Sequence, residues 1–376
     1  MKILVLSCKT GLGHDMAGEI VKLELEKRGH QCVMRDALAF KSKQRAESAS
    51  NLYRDLTGYA PAIFGFVYYL GVGWDKWGAL SPVYLANRDF GDNLYKYMRR
   101  KKFDAVISMH LFPMEGLRYI RNKYDCRTLF CGVQTDYECI PFLAESRMDS
   151  YFVPSQRVKY QLIRRGIPPN EVFVTGIPIR DVFYKKIAKK SARKQLGIDM
   201  KSQMYLLIPG GSPSHKCVKL CRLLLKNADP ATKVIVVAGN NERLKSILKR
   251  KFSKYPQVEI LDYMDNENVR LYMTAADVLL AKPGGLATTE NAMVGTLLIH
   301  TMAIPGVEKI NARWFNKKGM SIYVPKLKDA ARIAKTEINN QKTVRRMIAN
   351  QKRYLVRDSA AKIVDVIEGQ IKNGQN

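Results

Sequence analysis

No Asp-x-Asp pair occurs anywhere in the 376 residues, so the usual carboxylate clamp for a divalent ion is missing. Acidic side chains are few overall: 34 Asp and Glu against 63 Lys and Arg leave a formal charge of +29. The seven cysteines (8, 32, 126, 131, 139, 217, 221) have no paired metal spacing. Their odd number, and Cys8 inside an apolar strand, argue for reduced thiols in the cytosol and against a disulfide framework. Cys217 and Cys221 stand four apart without a further ligand pair and read as helix packing. The apolar stretch near the amino terminus, Ile3 to Ser7, is too short for a secretory signal. One uncharged run, 56–74, approaches membrane length, but Pro61 and Gly58, Gly65, Gly71 and Gly73 make it a poor spanning helix. It reads instead as an interfacial or acceptor-facing segment, with Phe64, Phe66, Tyr68, Tyr69, Trp74 and Trp77 as aromatic anchors. No helix-turn-helix, zinc or RNA-recognition signature accompanies the positive charge, so nucleic acid is not an expected partner. Internal repeats and low-complexity segments are also absent.

What the sequence does have is basic charge and a regular alternation. The first 150 residues are close to charge balance, and the excess concentrates at 157–194, 245–254 and 342–357. Single runs of this kind are ordinary solvated helix faces. Their sum makes a surface that draws polyanions such as phosphorylated substrates or anionic lipid headgroups. Short apolar runs at 2–7, 105–108, 128–133 and 150–153 alternate with helical patterns over 15–28 and 94–102. A second series follows at 204–208, 233–238, 258–261, 278–280, 297–300 and 320–324. This alternation predicts an α/β protein of two doubly wound domains with parallel sheets. Such domains place ligands at the carboxyl ends of their strands, in the cleft between them. The expected division is a first domain over 1–182, a Lys- and Arg-rich linker over 183–203 and a second domain over 204–342. A helical tail over 343–371 is expected to pack back on the first domain.

Three turns carry the chemistry. Cys8-Lys-Thr-Gly-Leu-Gly-His14 leaves the first strand for a helix whose N-terminus favours negative charge. It is not a G-x-G-x-x-G fingerprint, because His14, Asp15 and Met16 follow Gly13, so a redox dinucleotide is poorly supported. His14 has the intrinsic pKa of a general base at neutral pH, with capping or packing as the alternative role. Gly210-Gly211-Ser212 follows the first strand of the second domain, where backbone N–H groups and a hydroxyl can receive phosphate oxygens. The third turn, Lys282-Pro283-Gly284-Gly285, passes from an apolar strand straight to a helix N-terminus. Its glycines permit close approach to a diphosphate, and Thr288 and Thr289 offer hydroxyls. Glu290 is either an acceptor for both ribose hydroxyls or a carboxylate stabilised by the helix dipole. With no carboxylate clamp, helix dipoles and cationic side chains would have to stabilise a departing diphosphate.

The ordered set of Gly-Leu-Gly-His14, Gln134-Thr135-Asp136-Tyr137, Thr175-Gly-Ile-Pro-Ile-Arg180, Gly210-Gly211-Ser212, Lys282-Pro-Gly-Gly285 with Glu290, and Pro305-Gly-Val-Glu308-Lys-Ile-Asn311 resembles glycosyltransferase family 28. Within that family the match is to the branch of monogalactosyldiacylglycerol synthases and processive diacylglycerol glucosyltransferases. The resemblance implies a GT-B type fold, two facing Rossmann-like domains with a deep interdomain cleft. It implies an inverting enzyme that moves a hexose from UDP-glucose or UDP-galactose to diacylglycerol or a glycosyl-diacylglycerol, making a membrane β-glycolipid. Neither a tightly bound cofactor nor an obligatory metal is expected. The expected setting is peripheral, at an anionic phospholipid surface on the cytoplasmic side of the cell membrane.

Carried over by position, the diphosphate would meet Gly210, Gly211 and Ser212 from one side and Gly284, Gly285, Leu286 and Ala287 from the other, with Thr288 also in the UDP-sugar site. Glu290 would bind ribose, Tyr263 and Met264 uracil, and Glu308 and Asn311 the donor sugar. His14 takes the acid/base position, with Asp136 as alternative or partner. The chain departs from the family pattern at Val307, where a glutamine commonly precedes the glutamate. Valine cannot bond a sugar hydroxyl, which leaves the donor hexose open. Two rival readings are N-acetylglucosaminyl transfer to a lipid-linked peptidoglycan-type acceptor and a basic, non-catalytic membrane- or nucleic-acid-binding protein.

Overall fold

Strand β1 (Lys2–Ser7) buries five consecutive side chains, the pattern of a parallel strand covered on both faces. The computed structural model describes residues 1–8, 12–42, 44, 47, 48, 51, 61–74, 81–226 and 228–374. Its contacts divide the chain into two units: 1–179 with 305–307 and 356–376, and 180–304 with 308–355.

In the first unit β1 is joined by β2 (Gln31–Asp36), β3 (Ala105–Ser108), β4 (Leu129–Val133), β5 (Ser150–Val153) and β6 (Val172–Val174). All pair in parallel, in the order β2-β1-β3-β4-β5-β6. The two edge strands are weaker sequence signals than the others, one half buried and the other very short. Gln31-Cys-Val-Met-Arg-Asp36 is only half buried, and β6 has three residues. The chain leaves β1 for β2 on one side and returns to β3 on the other. That order reversal opens a crevice at the carboxyl ends of β1 and β3, where α/β sheets bind ligands.

The second unit repeats the plan with β7 (Met204–Ile208), β8 (Lys233–Gly239), β9 (Val258–Asp262), β10 (Val278–Ala281), β11 (Leu297–His300) and β12 (Ile322–Tyr323). The order is β12-β11-β10-β7-β8-β9, all parallel. Here the reversal lies between β7 and β10. These are the two strands that run into the second and third glycine turns.

Three local differences from the sequence reading have physical causes. The first helix is Leu12–Lys27, so His14 sits in its opening turn rather than at a strand end. The stretch 183–203 includes a helix, Lys189–Gln195, and holds an arginine, Arg193, with only 1% of its surface exposed. Arg193 donates to the carbonyls of Ala275, Asp199, Met200 and Ser202 and to Asp277, so this basic stretch is packed into the second unit. The tail is two helices rather than one, Gln341–Tyr354 and Ser359–Gly374, separated by a turn in which Asp358 has φ +56.

Only the second tail helix belongs to the first unit. It lies on Leu12–Lys27, where Arg28 Nη1 donates to Asp365 at 2.6 Å and His30 Nε2 stands 2.7 Å from Glu368. Gly176 makes room for this return. Its φ is +85, and a Cβ there would meet Ser359 Oγ at 2.5 Å and Val356 Cβ at 2.9 Å.

Candidate functional site

At the first crevice, β1 ends on Ser7, whose hydroxyl donates to Asp15 in the opening turn of the helix. The preceding glycine turn, Gly11 included, lies outside the described residues. His14 Nδ1 stands 2.8 Å from the Met109 carbonyl oxygen and 3.0 Å from Thr135 Oγ1. A carbonyl can only accept, so Nδ1 carries the hydrogen and the free lone pair is on Nε2. Met109 follows β3 and Thr135 follows β4, so two strand ends orient one imidazole.

His110 stands edge-on to it, with ring centroids 4.7 Å apart. The Phe112 N–H donates to His110 Nδ1 at 3.1 Å, capping the helix Leu111–Lys123. Burial, and then the neighbouring His14, hold the His110 pKa well below the usual imidazole value. Of this pair, His110 is held neutral.

Asp136, next to Thr135, is half buried. Tyr68 lies near it: burial, and then the Glu138 and Asp136 carboxylates, push the Tyr68 phenol above its ordinary pKa. Tyr68 belongs to the helix Pro61–Trp74, whose outer face is apolar and open. Ile63, Phe66, Val67, Leu70 and Trp74 are each 45% exposed or more, and their spacing puts them on one side. An apolar stripe of this kind on a protein surface marks an interaction site. Of the expected anchors, Phe66, Tyr69 and Trp74 are exposed while Tyr68 turns inward. The Phe64 side chain and Trp77 lie outside the described residues. Fourteen residues of helix reach about 21 Å, against the roughly 30 Å of a bilayer core. Among the described residues no helix is long and apolar enough to cross a membrane.

At the second crevice the two glycine turns stand side by side, since Ile208 of β7 pairs with Ala281 of β10. Gly210 has φ +51, a conformation that favours glycine, and the Lys282 stem passes beside it. Gly210 and Gly211 are exposed. Ser212 is buried, and its hydroxyl has no hydrogen-bond partner among the described residues.

The helix after the third turn is Gly285–Val294, with Gly284 as its N-cap. The Thr288 N–H donates to Gly284 O at 2.8 Å. The N–H groups of Gly285, Leu286 and Ala287 precede this first helical bond and find no acceptor within the helix. Such orphan donors, at the positive end of the helix dipole, form an anion site. The threonine hydroxyls, in contrast, turn inward. Thr289 Oγ1 donates to Gly285 O at 2.8 Å, and Thr288 Oγ1 meets His300.

Charged groups complete the arrangement. Lys282 Nζ donates to Glu308 Oε1 at 2.9 Å, and Glu308 Oε2 accepts from the Ile304 N–H at 2.9 Å. Asn311 is fully buried and donates to Pro283 O at 3.3 Å, so it pins the turn from beneath. Glu290 is buried with Arg180 Nη1 3.4 Å away. Burial pushes the Glu290 pKa up to about 7, against the opposing pull of Arg180. Tyr263 and Met264 follow β9, with Tyr263 exposed. That edge lies two strands from β7, about 10 Å across the sheet.

Arg180 and Lys282 stood inside sequence motifs, but their pairing with Glu290 and Glu308 is made only by the fold. Thr135 lies in the Gln134-Thr135-Asp136-Tyr137 motif, whereas Met109 and His110 beside His14 have no sequence signal beyond their positions after a strand-like run.

Two family models match the chain: monogalactosyldiacylglycerol (MGDG) synthase over residues 14–179 and UDP-N-acetylglucosamine 2-epimerase over residues 143–368. The processive diacylglycerol beta-glucosyltransferase of Bacillus pumilus is 28% identical over 98% of this chain and 94% of its own length. Among solved structures, Acinetobacter baumannii MurG superposes with a TM-score of 0.64 at 14% identity, covering 98% of this chain and 100% of that one. The UDP-GlcNAc 2-epimerase of Neisseria meningitidis, bound to UDP-GlcNAc, gives 0.61 at 14% identity with the same coverage.

Proposed function

The chain belongs to glycosyltransferase family 28, in the branch of monogalactosyldiacylglycerol synthases and processive diacylglycerol β-glucosyltransferases, and on that premise we propose how its two units divide the reaction. It is a UDP-sugar-dependent hexosyltransferase of GT-B type that builds a β-glycolipid on diacylglycerol or a glycosyl-diacylglycerol. More than half of the chain also fits the 2-epimerase family model, a likeness of the unit that would hold the UDP-sugar. The first half fits the synthase model, and the Bacillus pumilus relative, matched along nearly the whole chain, is a transferase.

One observation carries the donor site. Two glycine turns lie on adjacent strands at the order reversal of the second sheet, with the Lys282 stem beside Gly210. The backbone donors of 285–287 and the unpartnered Ser212 hydroxyl would take the diphosphate oxygens. Lys282 would offset the charge that develops as the diphosphate departs, in place of a divalent ion. Glu290 would accept the ribose hydroxyls, and Glu308 would face the hexose.

In the first unit, His14 Nε2 would take the proton of the acceptor hydroxyl. The acceptor oxygen then attacks the anomeric carbon as the bond to the diphosphate oxygen breaks and the diphosphate leaves with the electron pair. One displacement inverts the α-linked donor to a β-glycoside. Asp136 stands as partner or alternative base. The open apolar face of Pro61–Trp74 would enter the lipid surface, and the basic excess supports docking to anionic phospholipid on the cytoplasmic side.

The test is incubation with UDP-glucose, UDP-galactose or UDP-N-acetylglucosamine and vesicles of diacylglycerol in anionic phospholipid, with products identified by mass and anomeric configuration. A β-hexosyl-diacylglycerol, formed at the same rate with chelator present, is the expected product. A UDP-sugar epimerised without lipid, or no glycolipid from any donor, overturns the reading.

The Glu290 carboxyl gives the donor site a pH signature. Protonated, it can no longer accept from both ribose hydroxyls. UDP-glucose affinity is therefore expected to be full above about pH 7 and to fall as the pH drops through that value. The diphosphate of UDP-glucose is esterified at both ends and has no ionisation of its own there. Isothermal titration between pH 5.5 and pH 8.5 checks this, with Glu290→Gln expected to be weaker at high pH and flat across the range.

A further inference from the structure

Strand β11 reads Leu297-Leu-Ile-His300, three aliphatic residues and then an imidazole that is fully buried. An aliphatic residue would complete the pattern at less cost, since a buried polar ring is tolerated only when it is hydrogen-bonded. His300 is bonded on both sides. Its Nδ1 stands 3.0 Å from Ser321 Oγ and its Nε2 3.3 Å from Thr288 Oγ1, with Phe315 edge-on at 5.6 Å. Burial pushes its pKa down to about 3, so the ring is neutral. A neutral imidazole has one N–H and one lone pair, so one hydroxyl accepts from it and the other donates to it.

The location gives this chain of bonds its meaning. His300 pairs across the sheet with Ala281, the last residue of β10 before the third glycine turn. Thr288 is the residue whose N–H makes the bond to Gly284 O that opens the helix. Its side chain is thus held by His300 while its backbone fixes the peptide at Gly284. The N–H groups of residues 285–287 take their direction from that turn. Backbone donors bind an anion only when they converge within a fraction of an ångström, so whatever fixes the turn fixes the binding.

We propose that His300 is a positioning residue for the donor: with Ser321 behind it, it holds Thr288, and so the N-terminal turn of Gly285–Val294, in the geometry that receives the diphosphate. The inference rests on the reading of that turn as the UDP-sugar site. It also gives Thr288 a different task from a ligand, because its hydroxyl supports the turn from within.

Titration of the full chain with UDP tests it, comparing wild type with Thr288→Val, Thr288→Ser, His300→Phe, Ser321→Ala and the Thr288→Val/His300→Phe pair. Each variant but Thr288→Ser loses a hydrogen bond of the relay and should weaken UDP roughly threefold to tenfold. Thr288→Ser should bind like wild type. The double variant should be no weaker than its weaker parent, since both changes break one relay. Should His300→Phe fail to fold, Thr288→Val and Ser321→Ala keep nearly the same volume and carry the test. Melting temperatures that fall while UDP affinity stays at the wild-type value in every variant overturn the inference and leave His300 a core residue. A wild type that binds no UDP overturns the donor-site reading, and the inference with it.

Discussion

Replacing His14 with alanine should lower turnover about 10²- to 10⁴-fold, the range removed with a positioned general base. UDP-sugar affinity should stay as in the wild type. The split follows from where the residue acts. A primary hydroxyl is a poor nucleophile until its proton has somewhere to go, and in the proposed mechanism the imidazole lone pair on Nε2 would be the acceptor. The Met109 carbonyl fixes that tautomer by taking the Nδ1 hydrogen, and Thr135 stands against the same nitrogen. His110 does not duplicate the role. Its Nδ1 is occupied by the Phe112 N–H, and its burial disfavours the charged form that a base must become. The turns proposed to hold the donor lie in the second unit and neither includes His14, so titration with UDP should not register the change. Asp136→Asn run in parallel separates the two candidates: a loss as large as that of His14→Ala would make the carboxylate an equal partner. Near-normal turnover of His14→Ala would remove it from the role.

The second large effect concerns the lipid surface. Phe66 and Leu70 are 66% and 57% exposed on one face of Pro61–Trp74. Each contributes about 1.5–3 kcal/mol when moved from water into an apolar medium. Changing both to glutamate removes that gain and adds two negative charges facing an anionic surface. Binding to vesicles of anionic phospholipid, measured by sedimentation, should fall by about 10³-fold or more. Thermal stability and UDP affinity should be unchanged, because neither side chain is part of a core. Raised salt should weaken the wild type only in part, since screening would act on the basic surface and leave the proposed apolar insertion in place. Vesicle binding that survives the double substitution would assign the contact to another face.

The alternation of apolar runs and helices was enough to foresee two parallel α/β sheets, because a strand covered on both sides must be apolar throughout. Edge strands give weaker signals: β2 is half covered and carries polar residues at both ends, and β6 is only Val172-Phe-Val174. The uncharged stretch near residue 60 was legible as an interaction segment, but its glycines gave no warning that 61–74 is a continuous helix. Tertiary packing overrides a modest local propensity of that size.

At the proposed donor site, the sequence alone determined the two glycine turns, because a turn able to approach a phosphate closely needs residues without a Cβ at fixed places after a strand. It also determined the excess of positive charge and the want of an Asp-x-Asp clamp, which are matters of composition. Only the tertiary structure decided that the two turns lie on neighbouring strands, that Arg180 meets Glu290 and Lys282 meets Glu308, and that the hydroxyls of Thr288 and Thr289 and the amide of Asn311 point inward to hold the turns. Those pairings join residues up to 110 positions apart. They depend on strand order and burial, which no local pattern encodes.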